Sequence, residues 1–153
     1  MGQAPLWQWS AVEIADATRA GELTAREVTE AALARMADVN PKLNAVVESL
    51  ADEALAEAAA LDAEDGPKGP LHGVPVTIKI NIAQKGHATS NGVVAFKDLI
   101  APADAPLVEK LKAAGAVVIG RTNTPEFSFR ADTDNPLYGR THSPWGRHVS
   151  AGG

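Results

Sequence analysis

The sequence predicts an α/β fold, with a helical N-terminal segment over residues 1–65 leading into the first sheet strands of an α/β core over residues 66–153. Three observations lead there. Ala supplies 29 residues, 18 of them before Asp65, which suits closely packed helices in the first half. A break dense in Gly and Pro, Glu64-Asp65-Gly66-Pro67-Lys68-Gly69-Pro70, separates this stretch from strand-like runs. Charge changes sign at the same place: residues 1–65 carry 13 acids and 4 bases, and residues 66–153 carry 6 acids and 10 bases.

The first helix starts at Ser10, because Ser10 and Glu13 have the spacing of a capping box, in which each side chain bonds the other residue's backbone N–H. Ala11, Ile14, Ala15 and Thr18 then share a face, and Gly21 is the expected stop. Thr24 and Glu27 repeat the box. Val28, Ala32, Met36 and Val39 make the apolar stripe behind it, and Pro41 is expected to end that helix. Residues 44–47 are short and β-prone, a candidate strand. Ser49 with Asp52 is the expected cap of a third helix, with Ala51, Ala54, Leu55, Ala58 and Leu61 inward.

Beyond the break, residues 74–80 are β-branched and follow Gly73, as a strand would. Asp104 is the expected N-cap of a helix that turns Leu107, Val108, Leu111 and Ala114 one way and stops at Gly115. A buried strand over residues 116–119 follows, with Gly120 after it. This order of strand, crossover helix and strand is that of an α/β sheet. The last thirty residues read as polar loop with Pro125, Pro136 and Pro144 at turns.

Composition excludes several classes of function. The chain of 153 residues has no Cys, so thiolate catalysis, disulfides and Cys-based metal sites are ruled out. A net charge of −5 argues against a general nucleic-acid surface. No apolar run reaches membrane-spanning length. Residues 1–10 lack a basic region followed by an apolar one, so no secretory signal is expected and a cytoplasmic location is. His72, His87, His142 and His148 have neither helical metal-site spacing nor an acidic partner at motif distance, so neither a metal nor a cofactor is expected.

Lys79 is the residue with the most chemical content. Strand alternation sets Thr77 and Lys79 on one face and Val76, Ile78 and Ile80 on the other. An amine kept neutral by desolvation can take a proton from a hydroxyl nucleophile, whereas on the strand alone a solvent-facing Lys is the commoner outcome. The terminal loop, residues 143–153, holds Ser150, Gly152 and Gly153, and loops of this composition bring backbone N–H groups close to a developing oxyanion. Asn123 and Glu126 read as hydrogen-bonding pins for a buried turn. Trp7, Trp9 and Trp145 read as packing anchors.

Three stretches, in this order along the chain, resemble the amidase signature family. They are Gly69-Pro70-Leu71-His72-Gly73-Val74-Pro75-Val76-Thr77-Ile78-Lys79-Ile80-Asn81, the run from Asp104 through Gly120-Arg121-Thr122-Asn123-Thr124-Pro125-Glu126-Phe127, and Ser143-Pro144-Trp145-Gly146-Arg147-His148-Val149-Ser150-Ala151-Gly152-Gly153. Residues 40–47 are similar to the family's entry to its first strand. The resemblance implies the N-terminal part of an α/β/α fold that hydrolyses carboxamides with a Ser–cis-Ser–Lys triad. It makes Lys79 the catalytic lysine, acting on the cis-Ser, which relays protons to and from the nucleophile. It also places both serines beyond Gly153, so Ser150 takes no catalytic role. The chain is then expected to be one incomplete domain, inactive alone, that needs the remaining part or self-association. The implied partner is a small-molecule amide substrate, with no nucleic acid and no membrane. The chain departs from the family's usual Lys-Asp-Asn, having Lys79-Ile80-Asn81. Two other readings stand beside this one: a non-catalytic assembly or binding module on the same scaffold, and the A-type component of an aminoacyl-tRNA amidotransferase.

Overall fold

A computed structural model describes residues 4–66 and 68–153. Residues 1–3, which open the stretch read for a secretory signal, and Pro67 of the Gly–Pro break lie outside the described residues. The elements are α1 (Ala11–Ala20), α2 (Ala25–Leu43), β1 (Val46–Ser49), α3 (Ala51–Ala63), β2 (Pro75–Lys79), α4 (Pro106–Ala113) and β3 (Val117–Thr122), with short 3₁₀ turns between some of them. The three strands form a sheet in the order β1-β3-β2. No helix among the described residues is long and apolar enough to cross a membrane.

Local chemistry accounts for the helix starts. Ser10 Oγ accepts from Glu13 N, and Glu13 Oε2 accepts from Ser10 N at 2.7 Å. Thr24 and Glu27 do the same at α2, with Thr24 N on Glu27 Oε2 at 2.9 Å and Glu27 N on Thr24 Oγ1 at 3.1 Å. Gly21 ends α1 in the left-handed conformation that costs glycine least. Two expectations at helix ends need correction. First, α2 runs through Pro41 to Leu43. Pro41 lies in the last turn, where its missing N–H costs one bond, and Asn44 N still reaches Asn40 O at 2.7 Å. The Asn40 side chain accepts from Ala45 N and Val46 N, and so turns the chain into β1 at Val46, two residues later than residue 44. Second, α3 has Leu50 at its N-cap with no side-chain cap, not Ser49; Leu50 N bonds Ile119 O instead.

The chain divides into two compact units. One takes the chain up to Ala37 together with Leu50–Thr77 and Lys110–Ile119; the other takes Asp38–Ser49, Ile78–Glu109 and Gly120–Gly153. The core of the first unit is aliphatic and small. Ala25, Ala54, Ala58, Val117 and Ile119 form one cluster, and Ile14, Ala15, Val28 and Val74 another, with Trp9 packed against the second. The alanines let α2, α3 and β3 come close, which larger side chains at Ala54 and Ala58 would prevent. Trp145 does not act as the packing anchor expected of it: it is 89% exposed.

In the second unit β1 pairs antiparallel with β3, Val46 opposite Thr122 and Ser49 opposite Gly120, with an irregularity between Val46 and Glu48. β3 does not stop at Ile119 as its apolar run suggested. It continues through Gly120, Arg121 and Thr122, and every residue to Arg121 is buried, as befits the middle strand. α4 starts at Pro106, two residues after Asp104, whose Oδ1 accepts from Lys85 N at 2.6 Å. Of the α4 face, Val108 is fully buried while Leu107 is 52% exposed.

Candidate active site

Lys79 is the last residue of β2. The alternation read from the sequence holds here: Ile78 and Ile80 are buried, Thr77 is exposed and Lys79 is half-buried. The strand breaks immediately after it. Ile82 N closes a turn onto Lys79 O at 2.9 Å, and Ile80 N bonds Thr122 O at 2.9 Å. Among the described residues no hydrogen bond or ion pair engages the Lys79 ammonium. The Lys79 side chain lines a cavity of about 260 Å³ together with Ala45, Thr122, Asn123, Thr133, Thr141, Ala151, Gly152 and Gly153.

The terminal glycines therefore reach the wall around Lys79, and the hydrogen bonds show how they are held. Thr133 Oγ1 donates to Gly152 O at 2.7 Å. Ser150 Oγ bonds Ala131 O and Asp132 Oδ1 at 3.0 and 2.8 Å and accepts from Gly152 N at 3.0 Å. Asp132 in turn pairs with Arg140 at 2.8 Å. Both glycines are needed for this path. Gly152 has φ +87°, and a Cβ at Gly153 would collide with the carbonyl oxygen of Arg130. Ser150 is thus a tether of this loop.

The opposite wall is a polar turn. Asn123 is a pin, as expected: Nδ2 donates to Gly139 O and Thr141 Oγ1, and Oδ1 accepts from Thr124 N and Asn135 Nδ2. Asn135 completes the turn, with Leu137 N and Tyr138 N on its Oδ1. Glu126 lies elsewhere, beside Arg130, Asp134 and Asn135 in a separate polar cleft. Past Lys79, Asn81 Nδ2 reaches Ser128 Oγ at 3.0 Å, which also meets Thr124 Oγ1 at 3.0 Å. Phe127 and Ser128 both have positive φ, 52° and 60°. Two successive non-glycine residues in that region mark a held, strained turn. No residue preference at these positions announces it, so the sequence reading missed it.

It missed Arg121 as well. This side chain is fully buried, and its guanidinium is bonded to Glu48 and to three backbone carbonyls. An acid that meets His87, absent from any local motif, is Glu48 on β1, at 2.8 Å. His72, in the first unit, is buried; burial first, and then the charge of Lys68, holds its pKa below the usual histidine range.

The arrangement gathers an amine, threonine hydroxyls and a carboxamide around a glycine loop. Comparison with known proteins gives the chain's family. The family model described as Amidase matches residues 27–153. This chain belongs to the amidase family. Its relatives and structural neighbours are amidase signature enzymes. The amidase-family chain is 56% identical, over 99% of its length, to the indoleacetamide hydrolase of Bradyrhizobium diazoefficiens, and covers 29% of that protein. It is 44% identical to the A-type component of the glutamyl-tRNA(Gln) amidotransferase of Streptomyces avermitilis over 89% of its length, covering 28% of that protein. A bacterial aryl acylamidase of the amidase signature family superposes on 98% of the chain with a TM-score of 0.91 at 33% identity, the match covering 32% of the acylamidase. The amidase-family chain therefore spans under a third of the length of these relatives.

Proposed function

We propose that this chain supplies the lysine of an amide-hydrolysing centre. One observation carries the reading: Lys79, the last residue of β2, shares a polar cavity with Gly152 and Gly153. The Lys79 amine takes a proton from a serine that follows those glycines, and that serine relays it from the nucleophilic serine attacking the carboxamide carbon. The same path returns the proton to the leaving amine, and water then releases the acid. The tethers through Thr133 and Ser150 hold the glycine loop against the lysine so that the hydroxyl pair arrives within bonding reach. The 153 residues contain the amine without that pair, so by themselves they do not turn over amides. The substrate is a small carboxamide, and the place of work is the cytoplasm.

The experiment joins residues 1–153 to the remaining part of the indoleacetamide hydrolase that is 56% identical, and follows ammonia release from indoleacetamide. The hybrid hydrolyses it, and Lys79→Ala lowers kcat by about 10³-fold, within the range of positioned proton transfer. An active Lys79→Ala hybrid would remove Lys79 from the chemistry. Hydrolysis by the isolated chain, abolished by Lys79→Ala, would overturn the inactivity of the chain alone. The likeness to the A-type component of an amidotransferase favours a second reading, in which ammonia released from glutamine passes to an acyl group on tRNA. The higher identity to the hydrolase ranks it second; glutamine-dependent activity of the hybrid, exceeding that on indoleacetamide, would reverse the order.

A further inference from the structure

Among the described residues Arg121 is the largest side chain with no exposed surface. A guanidinium taken out of water is costly unless its donors are used, so its partners explain its presence. Nη1 donates to Ala88 O at 2.6 Å and to Glu48 Oε2 at 3.2 Å. Nη2 donates to Ile82 O at 3.0 Å and to Ile80 O at 3.4 Å. The Nε–H is buried with no partner among the described residues, so satisfaction of donors is incomplete even here. The one carboxylate in the set, Glu48, is also held by His87 through its other oxygen. Most of the guanidinium's bonding is therefore spent on backbone carbonyls. Two of them, Ile80 and Ile82, bracket Asn81 in the turn that starts at Lys79.

That turn would otherwise be loosely held. β2 ends at Lys79, and the ladder past it is the single bond from Ile80 N to Thr122 O. Ile82 N bonds back onto Lys79 O, so a shift of the turn moves the Lys79 backbone with it. Arg121 precedes Thr122 on β3, so adjacent residues of one strand grip both sides of the Ile80 peptide. A planar fork of donors suits this task, because it fixes direction as well as distance.

We propose that Arg121 is a positioning residue for Lys79: by clamping the carbonyls of Ile80 and Ile82 it sets where the β2 end delivers the amine into the cavity with Gly152 and Gly153. Glu48 and His87 orient the clamp. The proposal deepens the reading of Lys79 as the working amine and rests on it. Displacing a reacting group by about 1 Å costs on the order of 10²-fold in rate, which is the scale expected when the clamp is removed.

The test is run first on the 153-residue chain. Trace acetylation with mass spectrometry gives the initial labelling rate of every lysine, and amide hydrogen exchange reports Ile80 and Ile82. In Arg121→Met the Lys79 rate rises about fivefold relative to Lys42, Lys97 and Lys110, and exchange at Ile80 and Ile82 speeds by more than about tenfold while the amides of α1 and α3 keep their protection. Arg121→Lys restores part of both. In the hybrid enzyme, Arg121→Met lowers kcat by about 10²-fold with KM within about threefold. A uniform rise in labelling and exchange, or an unchanged kcat beside an inactive Lys79→Ala hybrid, overturns the clamp. Should Arg121→Met fail to fold, Arg121→Lys decides by the same criteria, and failure of both to fold also overturns it, since no separable positioning role would remain. An active Lys79→Ala hybrid beside altered Lys79 labelling in Arg121→Met would instead keep the clamp and discard the catalytic lysine.

Discussion

Asn135 offers the sharpest test of how the cavity wall is built. It is 5% exposed, and its amide makes four hydrogen bonds: Nδ2 donates to Asn123 Oδ1 and Thr124 O, both at 2.8 Å, and Oδ1 accepts from Leu137 N and Tyr138 N at 3.0 and 2.8 Å. Asn135→Ala removes all four. At about 1 kcal/mol net per bond the loss is about 4 kcal/mol, and water entering the space returns part of it. A destabilisation of about 3 kcal/mol follows, or about 6–12 °C in Tm for a chain of this size. Asn135→Asp separates donors from acceptors. It keeps the two bonds to Oδ1 and turns a carboxylate oxygen toward two acceptors, so the folded state raises the pKa of the new acid above its unfolded value. A group raised in this way contributes fully below its unfolded pKa, and that contribution is lost as pH rises through the folded value. Measured against the parent chain, the Tm of Asn135→Asp is therefore closest below about pH 4, the unfolded value of an aspartate, and falls away toward neutrality. Thermal unfolding by circular dichroism at several pH values reads both effects. A loss below about 1 kcal/mol for Asn135→Ala, or a pH-independent deficit for Asn135→Asp, would refute the account of this network.

Two further predictions concern the first unit. Burial, aided by Lys68, lowers the pKa of His72 from its ordinary value of 6.5; the neutral ring therefore contributes stability above that value, and the contribution is lost as pH falls from 6.5 through the folded pKa. His72→Gln should flatten the fall in Tm between about pH 7.5 and pH 5.5, and an unchanged slope would exclude His72 as its source. Gly21 and Gly73 share a left-handed backbone, φ +74° and +71°, but a Cβ at Gly21 meets open space while one at Gly73 lies 3.0 Å from Ala25 Cβ. Gly21→Ala should cost about 1 kcal/mol for the conformation alone, and Gly73→Ala a further 1–3 kcal/mol, roughly, for overpacking, compared by urea unfolding. Equal losses would mean that the Ala25 contact gives way without cost.

Much of the fold was legible because its causes are local. Capping boxes at Ser10 and Thr24 join residues three apart, and any chain segment carrying them has the means to start a helix. The faces of β2 followed from alternation, which put Lys79 opposite Ile78 and Ile80. What escaped the reading was decided by distant partners. Asp104, a good cap by composition, accepts from the distant Lys85 N. Trp145, large and apolar enough to anchor a core, projects into solvent. The strained pair Phe127–Ser128 has no compositional signature, since it is held by Asn81 and Thr124 across the turn.

From its residue order alone this chain was determined to be α/β, to carry one chemically eloquent lysine, and to resemble amidases along nearly its whole length, because periodicity, capping and motif order are properties of neighbours in sequence. Only the tertiary structure decided that β3 would run on through Gly120 and Arg121, and that Gly152 and Gly153 would line a cavity with Lys79. Glycine weakens a strand interior and an arginine is seldom buried, so neither announces a middle strand; here Glu48, Ile80, Ile82 and Ala88 take up the buried guanidinium. The physical reason is that the free energy of a buried charge or a close backbone approach depends on which atoms surround it, and those atoms are brought together by the fold.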